Sequence, residues 1–405
     1  MIRHLVLLGA GSGHLRFLHC LKKKRSPDIA ITLVTRVETH IDDVHFLRAL
    51  ADRASMAHCG VLLEPLLRQT HVNWLDQHVQ AIDASAKVLL LDDGRELRFD
   101  WLSIDMEPAP NRDLADRLMP GARANGLFLR PREAFCKLWP KVAELAAQRP
   151  QRVAIISGRL IAGENRPRDD AATTPMALAL ENGNLASAPP PTPPPAPPSS
   201  QRAASAPDWA HEKGAIELAF AVRQAFTSAA VTLITGGQPV AMHASPALRA
   251  GIQQALKKHR ITVLADAACA VQPGTVHLQS GAQLACDVPL LALQGPAHPL
   301  LASSGLALDG TGPDFGNVDV DGGQRSRSHA YVFAANGTDT AGARGRELAT
   351  SLQAVVAGKQ SAMFRQQASA LLPEHFQTLR CSPRHAIVSW RSWAWSSELL
   401  GGMMP

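Results

Sequence analysis

The chain runs through the same series of elements twice, and this repetition constrains its fold more than any other feature. The first copy opens with HLVLLGAGSGHL, a short apolar strand that enters glycines and then a helical pattern. It continues to the strand ITLVTR (Ile31 to Arg36), then VNWL, the stretch KVLLLDDGRELRFDWLSID, and a closing strand from Leu102 to Asp105. The second copy opens with VAIISG (Val153 to Gly158) and takes up a helix at GAIELAFAVRQAF. It then reaches VTLITG (Val231 to Gly236), ITVL and TVHLQSGAQLACDVPLLAL. Gly94 precedes Asp100 by the same offset that separates Gly281 from Asp287. Each copy therefore reads as strand, glycine turn, helix, strand, short antiparallel meander and last strand.

Strands alternating with helices imply a parallel sheet with helices on its faces. Two such units predict an α/β chain with two Rossmann-like dinucleotide-binding domains, the second inserted in the first. Residues 1–110 and 300–360 are expected to form the first and residues 111–299 the second, followed by a small C-terminal segment, 361–405. The pattern breaks inside the second copy, where eight of the ten residues from Pro189 to Pro198 are proline. Proline lacks an amide donor and fixes its own φ, so an inserted linker at about residues 165–208 is expected, extended or disordered and removable without unfolding the chain. A PxxP ligand for a partner is the other reading of this stretch.

Charge and cysteine content narrow the function classes. The net charge of +6 is dispersed along the chain. Its one tight cluster, Lys22, Lys23, Lys24 and Arg25, stands at an expected helix end, where cations suit the helix dipole, so no nucleic-acid partner is expected. Six scattered cysteines include no CxxC pair, which argues against a zinc knuckle and against a redox dithiol. That usage fits a reducing cytoplasm, and no apolar run is long enough to span a membrane. His40, Asp42, Asp43 and His45 are unevenly spaced for a metal site. No GxSxG elbow points to a serine nucleophile.

The candidate chemistry lies at the first glycine turn, Gly9-Ala10-Gly11-Ser12-Gly13-His14, which follows a strand and opens a helix. Gly9 permits the tight turn and Gly11 lets a pyrophosphate approach the backbone, while the helix N-terminus offers free amides and positive dipole. His14 takes the third glycine's place. Thr35 and Arg36 stand where an acid for the ribose would be expected, with Glu38 a distant substitute. A glycine-rich turn with no ligand is the competing reading.

Over roughly residues 1–360 the chain resembles the FAD-dependent pyridine nucleotide-disulfide oxidoreductases. It is most similar to the branch without the disulfide, which includes type II NADH dehydrogenases and the NADH dehydrogenase-like proteins found beside selenide, water dikinases. The first turn of that branch often reads GGGHxH, which His14 fits. The resemblance implies FAD on the first domain, NAD(P)H on the second, and hydride passing between them to an acceptor such as a quinone. It places Gly158 at the first glycine of the NAD(P)H turn and Gly214 at its end, with the insertion between them. Glu217 matches a catalytic glutamate near the nicotinamide–flavin contact, its other reading being a solvent-facing helix residue. Gly295 matches the glycine that ends a family strand.

Several positions depart from the family pattern. Glu107 stands where the first domain's equivalent strand would end in glycine. In YVFAANGTDT, Asn336 and Gly337 occupy the Gly-Asp places of the ribityl motif, and Asp339 lies two residues late. ETHIDDVHFLRALADR replaces the family's glycine-containing loop. Trp390, Trp393 and Trp395, with Arg384, His385 and Arg391, predict a C-terminal contact, either with another domain or a second copy or with the cytoplasmic face of a membrane. Two readings stay open: a flavin-dependent NAD(P)H oxidoreductase, or a non-catalytic scaffold that keeps the fold without the flavin.

Overall fold

The computed structural model describes residues 2–21, 28–41, 43–52, 59–106, 110–160, 209–294, 298–309, 316–335, 343–358, 376–382, 385–390 and 393–397. The first copy contains β1 (Arg3–Leu8), α1 (Ser12–Leu21), β2 (Ile29–Val34), β3 (Thr39–His40), α2 (Asp43–Ala51), β4 (Val61–Leu62) and α3 (Leu63–Thr70). It continues with β5 (Asn73–Leu75), β6 (Val79–Asp83), β7 (Val88–Leu91), β8 (Glu96–Arg98) and β9 (Trp101–Ile104). A connecting stretch follows, of α4 (Arg112–Leu118), α5 (Ala122–Asn125), β10 (Leu127–Phe128) and α6 (Arg132–Gln148). The second copy holds β11 (Arg152–Arg159), α7 (Trp209–Ala225), β12 (Ala230–Ile234), α8 (Pro246–Lys258) and β13 (Ile261–Leu264). Its meander is β14 (Ala268–Gln272), β15 (Thr275–Leu278) and β16 (Gln283–Ala285), and β17 (Val288–Gln294) closes it. After these come α9 (Pro299–Ala302), β18 (Val332–Ala334), α10 (Ala343–Val356), β19 (Phe376–Arg380), β20 (Ala386–Trp390) and β21 (Trp393–Ser397).

Two parallel sheets of five strands result, ordered β18-β9-β1-β2-β5 and β10-β17-β11-β12-β13. Each copy places its first strand at the centre, its second strand on one side and its closing strand on the other. The central strands are apolar on both faces, as helix-covered parallel strands must be: Leu5, Val6, Leu7, Val153, Ile155 and Ile156 are all buried. The first sheet draws its outer strand β18 from the far end of the chain, so the second sheet lies within the first in sequence. This is the expected α/β architecture of two Rossmann-like units.

The repetition extends to single hydrogen bonds. Asp100 Oδ2 accepts from the His4 amide at 2.7 Å, and Asp287 Oδ2 accepts from the Arg152 amide at 2.9 Å. Gly94 and Gly281 both have positive φ, +81° and +87°, in the turn that closes each meander, which explains the shared glycine-to-aspartate offset. Thr35 N–H donates to Leu75 O, and Thr235 N–H donates to Leu264 O.

One core crosses between the copies. Phe46 and Leu50 of α2 pack with Phe135 and Trp139 of α6 and with the apolar face of α7. Phe46 meets Phe135 edge-on at 5.3 Å, Phe135 stacks on Trp139 at 5.2 Å, and Trp139 lies 5.4 Å from Phe226. The buried Arg132 reaches the same seam and donates to Ile41 O at 2.7 Å. The α2 segment thus ties the first sheet to the helices of the second. The C-terminal strands β19-β20-β21 form an antiparallel sheet beside α7 and α8. Trp393 and Trp395 remain exposed on it, at 75% and 45%. Among the described residues no helix is long and apolar enough to cross a membrane.

Candidate functional site

The first glycine turn leaves β1 and enters α1 as its sequence requires. Gly9 has φ +89°, and a Cβ there would lie 2.5 Å from Asp105 O, so only glycine fits. Gly11 N–H donates to Asp105 O at 2.9 Å, which ties the turn to the end of β9. Ala10 O accepts from His40 Nδ1 at 2.7 Å, so His40 braces the turn. Gly13 permits close helix contact, since a Cβ there would meet Leu348 and Gly345 of α10 at 2.9 and 3.2 Å.

His14 fills the interval between α1 and the sheet. Its ring is fully buried, with Nδ1 donating to Gly9 O at 2.7 Å and Nε2 accepting from the Ser103 hydroxyl at 2.7 Å. Burial lowers its pKa, while the Asp105 charge and the Gly9 bond oppose that shift less strongly. The imidazole is therefore a neutral spacer, with both nitrogens satisfied.

Asp105 is the residue that the glycine pattern did not reveal. It stands one residue beyond β9 and is 7% exposed. Its Oδ2 accepts from the His14 amide at 3.0 Å, in the first turn of α1. A Cβ built on Gly11 would lie 2.0 Å from Oδ1, 2.1 Å from Cγ and 2.5 Å from Oδ2. The space that the second glycine clears thus holds a carboxylate of the chain itself. Its trace in the sequence is an aspartate ending SID, at a position facing the turn.

The ribose position carries no acid. Thr35 is buried and its hydroxyl accepts from Val37 N–H, while its carbonyl accepts from Trp74 Nε1 at 2.9 Å. Arg36 is exposed and approaches Asp76 at 3.8 Å.

The second turn departs from the first. Gly158 lies inside β11, paired with Leu293 of β17, rather than in a turn beyond the strand. A Cβ on it would find Gly236 Cα at 4.0 Å. Gly214 lies in the second turn of α7, because that helix begins at Trp209, upstream of the glycine. Glu217 is 9% exposed, which overturns the reading of a solvent-facing residue. Its Oε1 accepts from Arg380 N–H at 2.8 Å and stands 3.7 Å from Lys213 Nζ, so the C-terminal sheet engages it. Beside it, burial pushes the Cys381 thiol up to about 12, with the Glu217 charge adding to the shift. Glu107, Gly295, Asn336, Gly337 and Asp339 lie outside the described residues, as do Asp42, the lysine cluster and the proline-rich insertion.

No family model matches the sequence, and no curated protein matches it. Solved structures do match the fold. The sulfide:quinone oxidoreductase of Aquifex aeolicus superposes with a TM-score of 0.65 at 14% identity, covering 98% of this chain and 86% of its own. The ferredoxin reductase of the CYP199A2 system of Rhodopseudomonas palustris gives 0.61 at 13% identity, with 95% and 81% covered. A NAD-dependent persulfide reductase from A. fulgidus gives 0.61 at 15% identity, with 95% and 63% covered. At such identities the likeness establishes the two-domain fold.

Proposed function

We propose that the chain is a flavin-dependent NAD(P)H oxidoreductase that passes electrons from NAD(P)H through FAD to a small acceptor such as a quinone. The observation that carries this reading is the pair of parallel sheets in matching strand order, each sending a helix back from its central strand. A sheet of this order is suited to a dinucleotide outside the carboxyl ends of its strands, so two of them support a pair of such sites. The named activities of the similar structures, which include a quinone and a NAD-dependent reductase, support the same class. Flavin and nicotinamide carry the redox chemistry, and the protein's share is to bind, orient and exclude water. The Ser12 amide, joined by the His14 amide once the Asp105 carboxylate turns away, is suited to a diphosphate on the first sheet, with Gly158 and Gly214 flanking the expected NAD(P)H segment. We assign Glu217 to anchoring the C-terminal sheet in place of its expected role at the nicotinamide, since its carboxylate already accepts from the Arg380 amide.

The first turn, as it stands, does not fit a dinucleotide: Asp105 fills the space Gly11 clears. Binding requires that side chain to turn away.

The test is a visible spectrum of the purified protein, before and after excess FAD, followed by NADH or NADPH with a water-soluble quinone. A flavin band that bleaches on NAD(P)H and returns on quinone supports the reading. Protein that takes up no flavin at excess FAD and consumes no NAD(P)H overturns it in favour of the non-catalytic scaffold.

A further inference from the structure

A dinucleotide-binding turn keeps its second glycine bare because the diphosphate approaches where a Cβ would point. At Gly11 that direction leads into the Asp105 carboxylate, all three of whose terminal atoms lie within 2.5 Å of the position a Cβ would take. The carboxylate accepts the His14 amide at 3.0 Å, in the first turn of α1, where an incoming phosphate would seek its donors. Backbone bonds hold it there from both sides: Asp105 N–H donates to Leu8 O, and Asp105 O accepts from Gly11 N–H, each at 2.9 Å. Asp105 makes no ion pair among the described residues, and His14, a titratable neighbour that feels its charge, is neutral and already bonded through both ring nitrogens. The positive end of α1 and the His14 amide bonded to it therefore offset the buried charge.

We propose that Asp105 is an internal anion that competes with a dinucleotide's diphosphate for the first turn, and that its displacement sets the affinity of this site. The proposal rests on the reading of the first sheet as a dinucleotide site. Two anions cannot share one helix end and one small volume: the like charges repel in a poorly screened setting, and the atoms overlap. Ligand and carboxylate thus exclude each other. The site is closed when Asp105 faces Gly11 and open when its side chain turns out.

The test compares wild type with Asp105→Ala and Asp105→Asn, titrated with FAD, ADP and inorganic pyrophosphate, by flavin absorbance and by the shift in melting temperature. Asp105→Asn keeps an acceptor for the His14 amide and guards against a variant that fails to fold. The expected result is a gain in affinity of at least about tenfold for FAD and pyrophosphate in Asp105→Ala, the equivalent of about 1.4 kcal/mol. Asp105→Asn, which loses the charge but keeps the bulk, should fall between it and wild type. Without ligand, Asp105→Ala melts below wild type, and pyrophosphate restores the difference in the variant alone. Wild type that purifies with stoichiometric FAD overturns the proposal, as do equal affinities across the three proteins or no binding by any of them. A gain for pyrophosphate and ADP without a gain for FAD upholds the internal anion and refutes the flavin reading, so the two failures are distinct.

Discussion

Replacing His14 with alanine tests whether the buried imidazole is the spacer that holds α1 against the first sheet. The ring is fully buried and makes two hydrogen bonds of 2.7 Å, to Gly9 O and from the Ser103 hydroxyl. Losing both bonds costs about 2 kcal/mol at roughly 1 kcal/mol each, more if the Gly9 carbonyl is left dry. The void left by the ring adds about 1–2 kcal/mol, since neighbours in a rigid strand–helix seam relax only in part. The expected loss is about 3–4 kcal/mol, or roughly 4–5 °C in melting temperature for a chain of this size. A second signature follows from protonation. Burial holds the folded pKa of His14 below its ordinary 6.5, so below that value the unfolded chain binds a proton that the folded protein refuses. Stability from this residue is complete above pH 6.5 and falls as pH drops, by up to ~1.4 kcal/mol per unit. His259 and His298 are also lowered by burial and contribute slopes of the same sign. The decisive quantity is therefore the difference in slope between wild type and variant, measured by urea denaturation between about pH 7.5 and 5.5. A loss below about 1 kcal/mol, or an identical slope in the two proteins, would refute the spacer role.

Three further outcomes are expected. Gly11→Ala should cost more than about 2 kcal/mol because its Cβ overlaps the Asp105 carboxylate, and much of that loss should return in the Gly11→Ala/Asp105→Ala double variant; additive losses would show that the two sites do not touch. Asp287 is held down to about 2, chiefly by its hydrogen bonds from the Arg152 side chain, so its contribution is present above the ordinary carboxylate range and disappears as pH falls toward 2. Asp287→Asn should lose about 1 kcal/mol at neutral pH after allowance for solvent screening and show a shallower acid limb, and an unchanged acid transition would contradict this. Glu217→Ala removes the acceptor of the Arg380 amide and the carboxylate beside the Lys213 ammonium, so it should lower stability by about 2 kcal/mol and expose the C-terminal sheet to trypsin before the rest; uniform cleavage would count against the anchoring role.

The fold was legible because period-2 apolar strands, glycine turns and helical patterns recur in one order, and that order alone admits few topologies. The Gly94 and Gly281 turns could be located because their chemistry is local: a positive φ followed by an aspartate that returns to the first strand. The site was less legible. Asp105 is plainly an acid at a strand end, but the glycine pattern describes only backbone, and what fills the cleared space depends on a strand ninety residues away in the chain. Gly214 reads in the sequence as the start of α7 because glycine punctuates a pattern, whereas Trp209–Lys213 upstream simply continue the helix. Glu217 gave no local hint of burial, since its partner Arg380 belongs to a separate sheet. Cys59 and Cys136, unremarkable in spacing, meet with Sγ atoms 3.9 Å apart because α6 lies against the segment after α2.

The interleaving of the two sheets sets a timetable for synthesis. On the ribosome, β9 emerges with its outer edge bare, and the strand that covers it, β18, is not made until residue 332. Phe46 and Leu50 of α2 likewise wait for α6 and α7 before their apolar faces are buried. At about 5–20 residues per second, both surfaces stay open for times on the order of ten seconds or more. During that interval an unpaired parallel edge and a sticky helix coexist on one nascent chain, the situation in which strand-to-strand aggregation begins. The second sheet, whose five strands all lie between Leu127 and Gln294, can close while the first is still waiting. The inserted copy is thus expected to fold first and to serve, through the Phe46–Phe135–Trp139 seam, as the template on which the earlier-made half is completed.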